Sequence, residues 1–222
     1  MVARYLGFSA IGLHAMNNRI SIKQAFSFGW RSLKINVGFF IKFFLFGGLL
    51  LVVSAFLSQS FLSKETYNTF YPIIRTLIQD FLIIVGTIAL LSIADQGKTT
   101  LMGSIRAFRF RQLINLIVAT FLISLLTMIG LLLFVIPGIL IFITLSQTLQ
   151  VVVDQRLNFW SAMKESARLT KGSKMRILLF FVLVGLTNLL GLSVLGVGLF
   201  IAIPLTSLAS TSIYLQLKAK SY

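Results

Sequence analysis

The sequence predicts an all-α, polytopic membrane protein: six transmembrane helices arranged as three hairpins, each hairpin preceded by a basic amphipathic helix at the membrane interface. Three observations predict it. Of 222 residues, 57% are hydrophobic and only 11% charged, well beyond the roughly 45–50% apolar content of soluble domains. Apolar runs of near-spanning length recur along the whole chain, and a bilayer takes up apolar surface that a soluble fold would have to bury against itself. Finally, 20 Lys and Arg against 5 Asp and Glu give a net charge of +15, and the basic residues cluster beside the apolar runs.

Charge and missing chemistry narrow the function classes. Basic residues placed beside apolar spans, without a nucleic-acid-binding motif, argue against nucleic acid and for anionic membrane lipids as partners, each juxtamembrane Lys or Arg contributing about 1 kcal/mol. Cysteine is absent and His14 is the single histidine, which excludes disulfides, thiolate chemistry and a histidine metal site. No nucleophile stands beside a base, and there is no Gly-x-Ser-x-Gly elbow, phosphate loop or suitably spaced carboxylate pair. The expectation is therefore a protein that is not an enzyme, with no catalytic residues, no metal and no cofactor.

Residues 1–19 are moderately apolar but broken by Ser9, Gly12 and His14, with no small-residue cleavage pattern. They read as a poorly ordered or over-called extension, with Met16 just ahead of the first good helix start. Ser21-Ile22-Lys23-Gln24 fits a capping box. Ile22, Phe26, Trp30 and Leu33 then recur at helical spacing beside Lys23, Ser27, Arg31 and Lys34, the pattern of a helix lying in the headgroup plane. The first span is expected over residues 37–57, with Lys42 reaching back to the near interface. Residues 58–72 read as the one sizeable loop, with Tyr67, Phe70 and Tyr71 as interfacial aromatics.

The second span, residues 73–94, contains Arg75 and Asp80. Thr100 opens the second amphipathic segment, with Leu101, Ile105 and Phe108 against Arg106, Arg109 and Arg111. Spans over residues 115–136 and 138–153 then flank Pro137-Gly138. The latter would be only about 24 Å long, so it must draw in flanking residues or thin the bilayer. Asn158 can cap the third amphipathic helix, which sets Trp160, Met163 and Ala167 against Lys164, Arg168 and Lys171. Gly172 is placed to end that helix in a left-handed conformation. The last spans, residues 177–194 and 196–214, meet around Leu195.

Setting Ser21, Thr100 and Asn158 in register also aligns Ala25, Ser104 and Ala162. One unit, covering about residues 20–95, 99–155 and 157–217, then repeats along a single membrane domain of residues 20–222. With six spans, both termini and all three amphipathic segments share one side, which carries every Lys and Arg except Lys64 and Arg75. The positive-inside rule makes that side cytoplasmic.

Two groups of candidate residues follow. Lys23, Arg31, Lys34, Arg106, Arg109, Arg111, Lys164, Arg168, Lys171 and Lys174 are placed to meet lipid headgroups. Asp80, Gln147, Gln150 and Asn188 lie inside spans, where polar side chains mark a solute path or, more simply, hydrogen bonds between packed helices. Asp80 also has an interfacial reading, meeting Arg75 or Lys64 through water.

The run Ile136-Pro137-Gly138-Ile139, followed by Ser146-Gln147, Val152-Val153-Asp154, Ala162, Ser166, Leu169 and Lys171-Gly172, resembles the motif of the YciC-like bacterial inner-membrane proteins. The membrane domain attached to some glycerophosphodiester phosphodiesterases is similar. The resemblance implies a six-span domain of the bacterial inner membrane with a link to the envelope or its lipids. Phosphodiesterase activity sits in a separate soluble domain of those enzymes, so catalysis is not implied. The expected function is non-enzymatic, in envelope or membrane-lipid homeostasis, with membrane-protein partners open. The alternative is a transporter or channel for a small solute or lipid.

Overall fold

The structure, a computed structural model, describes residues 20–61, 63–193 and 196–221. The extension expected over residues 1–19 and the turn expected at Leu195 lie outside the described residues. Within them the protein is all-helical, with α1 (Ile22–Ile35), α2 (Val37–Phe61), α3 (Lys64–Gln96), α4 (Leu101–Ala107), α5 (Phe110–Leu133), α6 (Val135–Leu145), α7 (Thr148–Gln155), α8 (Phe159–Thr170), α9 (Lys174–Ser193) and α10 (Leu199–Lys220). Six helical stretches are long and apolar enough to cross a membrane: α2, α3, α5, α6 with α7, α9 and α10. Polar side chains start several of these helices by taking up free backbone donors. Ser21, Ser63, Thr100 and Asn158 accept from the N–H groups of Gln24, Thr66, Gly103 and Ser161.

One end of the bundle is tied together. Asn36 Nδ2 donates to Gly97 O at 3.0 Å, joining α1 and α2 to the end of α3. Gln112 Nε2 donates to Val153 O, joining α5 to α7. Arg176 at the head of α9 reaches Ile20 O at 3.0 Å, and Lys218 near the end of α10 reaches Asp154. The largest apolar cluster lies here, drawing Ala25, Val151, Val152, Ala162, Leu169, Ala209, Ile213 and Tyr214 from α1, α7, α8 and α10. Helix α10 is the pillar of this end, because its buried residues run from Ala202 to Leu217, whereas α2 is mostly exposed.

Helix α1 lies along α10. A side chain at Gly29 would come within 2.8 Å of Leu205 O, so the two backbones nearly touch. Ser21 N–H donates to Gln216 Oε1 at 2.8 Å, and Gln216 Nε2 returns a bond to Ser21 O. The expected capping box is thus half made: Ser21 caps the helix, but α10 supplies the partner that Gln24 was expected to be.

The spans differ from expectation in three places. The loop expected over residues 58–72 is helical at residues 58–61 and 64–72. Helix α2 continues to Phe61, and Ser63 starts α3, which runs through Pro72 for 33 residues and stacks Tyr67 on Tyr71 at 4.9 Å. The second basic helix is short, because Phe108 and Arg109 leave the helix and Arg111 heads α5 instead. The fourth span covers Val135–Gln155, 21 residues, and is broken at Ser146-Gln147. The turn before it is at Phe134; Pro137 falls in the first helical turn, where a missing N–H costs nothing.

Candidate functional site

Two of the three short helices build something specific around the basic residues expected to contact headgroups. On α1, Lys34 Nζ lies over the Trp30 ring, 5.0 Å from its centroid. On α8, Lys164 Nζ lies over Trp160 at 5.4 Å. Both are i, i+4 pairs, so one helix face presents ring and ammonium together. An aromatic face attracts a cation through its negative quadrupole, which holds the ammonium in place and leaves the N–H groups that do not face the ring open to an anion.

Each pair stands at the rim of an apolar groove. Trp30 and Lys34 border a groove of about 820 Å³ that continues past Ile41 and Leu45 to Val52, between α2 and Phe200 of α10. Trp160 and Lys164, with Lys174, border one of about 410 Å³ against Leu126 and Leu140. From Val37 to Val52 the first groove follows about 23 Å of α2, more than one leaflet of a ~30 Å core. The same residue pattern recurs in the sequence as Trp-Arg-Ser-Leu-Lys and Trp-Ser-Ala-Met-Lys. Sequence reasoning placed the two tryptophans on apolar faces and missed their pairing, although the i, i+4 spacing was there to read.

The other basic candidates are not gathered. Lys23, Arg31, Arg106, Arg109, Arg111 and Lys171 are exposed on separate helices and connections. Arg168 makes a two-pronged pair with Glu165, Nε and Nη2 donating at 2.8 and 2.7 Å. The Arg168 guanidinium holds the Glu165 carboxyl below the usual carboxylate range.

Asp154 is not a free interfacial charge. Its Oδ2 accepts from Tyr214 Oη and from Lys218 Nζ, both at 2.5 Å, which pins α7 to the end of α10. The cleft beside it, about 480 Å³, carries Asp95 and Asp154 against Arg156 and Lys218, so its acids are matched by bases. Among the described residues no cluster of histidines, cysteines and acids could hold a metal ion.

The remaining motif residues hold the chain in shape. Where the fourth span breaks, Thr144 O loses its helical partner, and Ser166 Oγ and Thr170 Oγ1 donate to it at 2.9 and 3.2 Å. Ser166 Oγ also accepts from Gln147 N–H at 3.2 Å. Ala162 is fully buried. A side chain at Gly138 would come within 2.5 Å of Leu131, and one at Gly130 within 2.9 Å of Gly138 Cα. Gly172, with φ 75°, follows α8 in the left-handed conformation.

The interior polar residues divide. Gln147 and Gln150 are buried on the broken span, their Nε2 groups donating to Ser146 and Ser210. Their Oε1 atoms, and Oδ1 of Asn188, have no donor among the described residues. Asp80 is partly exposed on α3 and lines neither the interior cavity around Gln150 nor the grooves.

Among the described residues these features define an all-helical protein with six helices long and apolar enough to span a membrane, which suits a multi-pass membrane protein. Compared with models of protein families, with curated proteins and with solved structures, the chain matches none.

Proposed function

We propose that this protein is a non-enzymatic, multi-pass protein of the bacterial inner membrane that holds anionic phospholipids against its basic face and serves envelope or membrane-lipid homeostasis. The observation that carries it is the pair of Trp–Lys contacts, each at the rim of an apolar groove. An ammonium beside an apolar channel fits the charged head of a phospholipid with a chain lying below it. The three short helices act as interfacial elements in front of three helical hairpins, with both termini in the cytoplasm. The resemblance to the YciC-like proteins supports the same membrane and the same lipid connection.

Native mass spectrometry of the purified chain, supplied with equal phosphatidylglycerol and phosphatidylcholine, tests the reading. Phosphatidylglycerol is expected to be retained preferentially, and Lys34→Gln with Lys164→Gln to remove the preference. Equal retention of both lipids by the unaltered chain would sink it.

A second reading, transport of a small solute or lipid, rests on the unpartnered Gln147, Gln150 and Asn188 oxygens in the spans. Flux of a candidate solute into proteoliposomes, abolished in Gln150→Met, is its test; leakage equal to protein-free vesicles counts against it.

A further inference from the structure

We propose that the groove at Trp160 selects a phospholipid whose headgroup is a phosphate monoester, phosphatidic acid, over lipids with a phosphate diester. This rests on the headgroup reading above and names the headgroup for one of the two grooves. The two differ in charge. Among the described residues, Lys34 is the single charged side chain lining the groove at Trp30, whereas Lys164 and Lys174 both line the one at Trp160. No carboxylate lines either.

Nothing within the described chain neutralises the second groove. Lys164 and Lys174 are exposed and take part in neither of the ion pairs among the described residues. The one acid on α8, Glu165, is held by both prongs of Arg168. The lysines stand on different helices, Lys164 over the Trp160 ring on α8 and Lys174 as the first residue of α9. The positive end of the α9 dipole adds to the same field.

A headgroup seated there meets two ammonium groups. A phosphate diester brings one negative charge, and a phosphate monoester about −1.5 to −2 near neutral pH, with three terminal oxygens. Each ammonium can then take an oxygen of its own through a short, charge-assisted hydrogen bond. A lysine, a point charge on a flexible stem, adapts to this without the fixed geometry of a guanidinium. Leu126 and Leu140 are exposed along the groove, so an acyl chain lies against them and runs on into the bilayer. One channel of about 410 Å³ suits a two-chain lipid. Cardiolipin, with two phosphates and four chains, would match the charge and not the groove.

The test is native mass spectrometry of the full chain in detergent, offered equal dioleoyl phosphatidic acid, phosphatidylmethanol and phosphatidylcholine. Phosphatidylmethanol is a diester of nearly the same bulk as phosphatidic acid, so the two differ chiefly in charge. One equivalent of phosphatidic acid is expected to be retained about tenfold over phosphatidylmethanol, for one further hydrogen bond to a charged group. Lys174→Gln is expected to abolish that preference while still favouring both anionic lipids over phosphatidylcholine. Lys34→Gln is expected to leave it intact. Equal retention of the two anionic lipids, both above phosphatidylcholine, overturns this proposal and leaves the headgroup reading standing; equal retention of all three sinks both. Full preference in Lys174→Gln, its loss in Lys34→Gln, or displacement of phosphatidic acid by an equal amount of cardiolipin also overturns the proposal.

Discussion

Ser166 stands where the fourth span stops being one helix, and three polar contacts converge on it or beside it. Its hydroxyl takes the Gln147 N–H and gives its proton to Thr144 O, while Thr170 donates to the same carbonyl. Removing the hydroxyl leaves buried backbone groups short of partners, at about 1–3 kcal/mol. Ser166→Ala should therefore lower the unfolding midpoint in detergent, with little change in lipid retention; an unaltered midpoint would show that the break does not need the hydroxyl. Gly138 makes a second single-residue case. A Val there meets Leu131 at under-contact distance, so Gly138→Val should cost about 1–3 kcal/mol. Pro137→Ala, beside it, should be near neutral by the same assay. Glu165 gives a pH-dependent case. The Arg168 pair holds its carboxyl below the ordinary 4.5, so the stabilisation is present at neutral pH and lost as pH falls through the lowered value. Thermal scans between neutral and strongly acidic pH should show Glu165→Gln losing less stability on acidification than the unaltered chain.

At the scale of elements, the positions of the apolar runs were legible because a stretch of some twenty mostly apolar residues with at most two charges is what a membrane span requires. Their ends were not. Residues 58–72 carry Lys64, Glu65, Asn68 and Pro72, all of which read as loop, yet a Ser63 cap and continuity with the span below keep them helical. Helix α3 is then about 50 Å long against a core of about 30 Å, so its first turns stand clear of the hydrocarbon. The absence of cysteine makes this directly testable. Thr69→Cys should react with a membrane-impermeant maleimide in intact proteoliposomes, in the fraction of molecules facing outward at that end, while Ala89→Cys should not. Equal protection of both positions would place the start of α3 inside the bilayer. Of the candidate residues, Asp154 and Ser166 were visible as motif members, but their partners were not. Tyr214 and Lys218 lie 60 and 64 residues away from Asp154, beyond any local pattern. The Trp–Lys pairs were local and could have been found; periodicity alone sorts residues by face and says nothing of which cation sits over which ring.

Across the whole molecule, the first described helix and the last are fitted to each other. Gly29 admits the backbone of α10 so closely that Gly29→Leu should destabilise the tied end by several kcal/mol, about the size of the large packing defects. A short bismaleimide should join cysteines placed at Ser21 and Gln216 in the otherwise cysteine-free chain, and no cross-link would mean that α1 leaves α10 in the membrane. The same contact has a consequence in time. Ser21 and Gln216 are 195 residues apart. At ~5–20 residues per second the ribosome delivers α10 roughly ten to forty seconds after α1. Throughout that interval α1 has no Leu205 or Ala209 to lie against, and the surface of the bilayer is the apolar cover within its reach. The Gly29 notch therefore stays open until the last helix is made, and the tied end of the bundle closes only then.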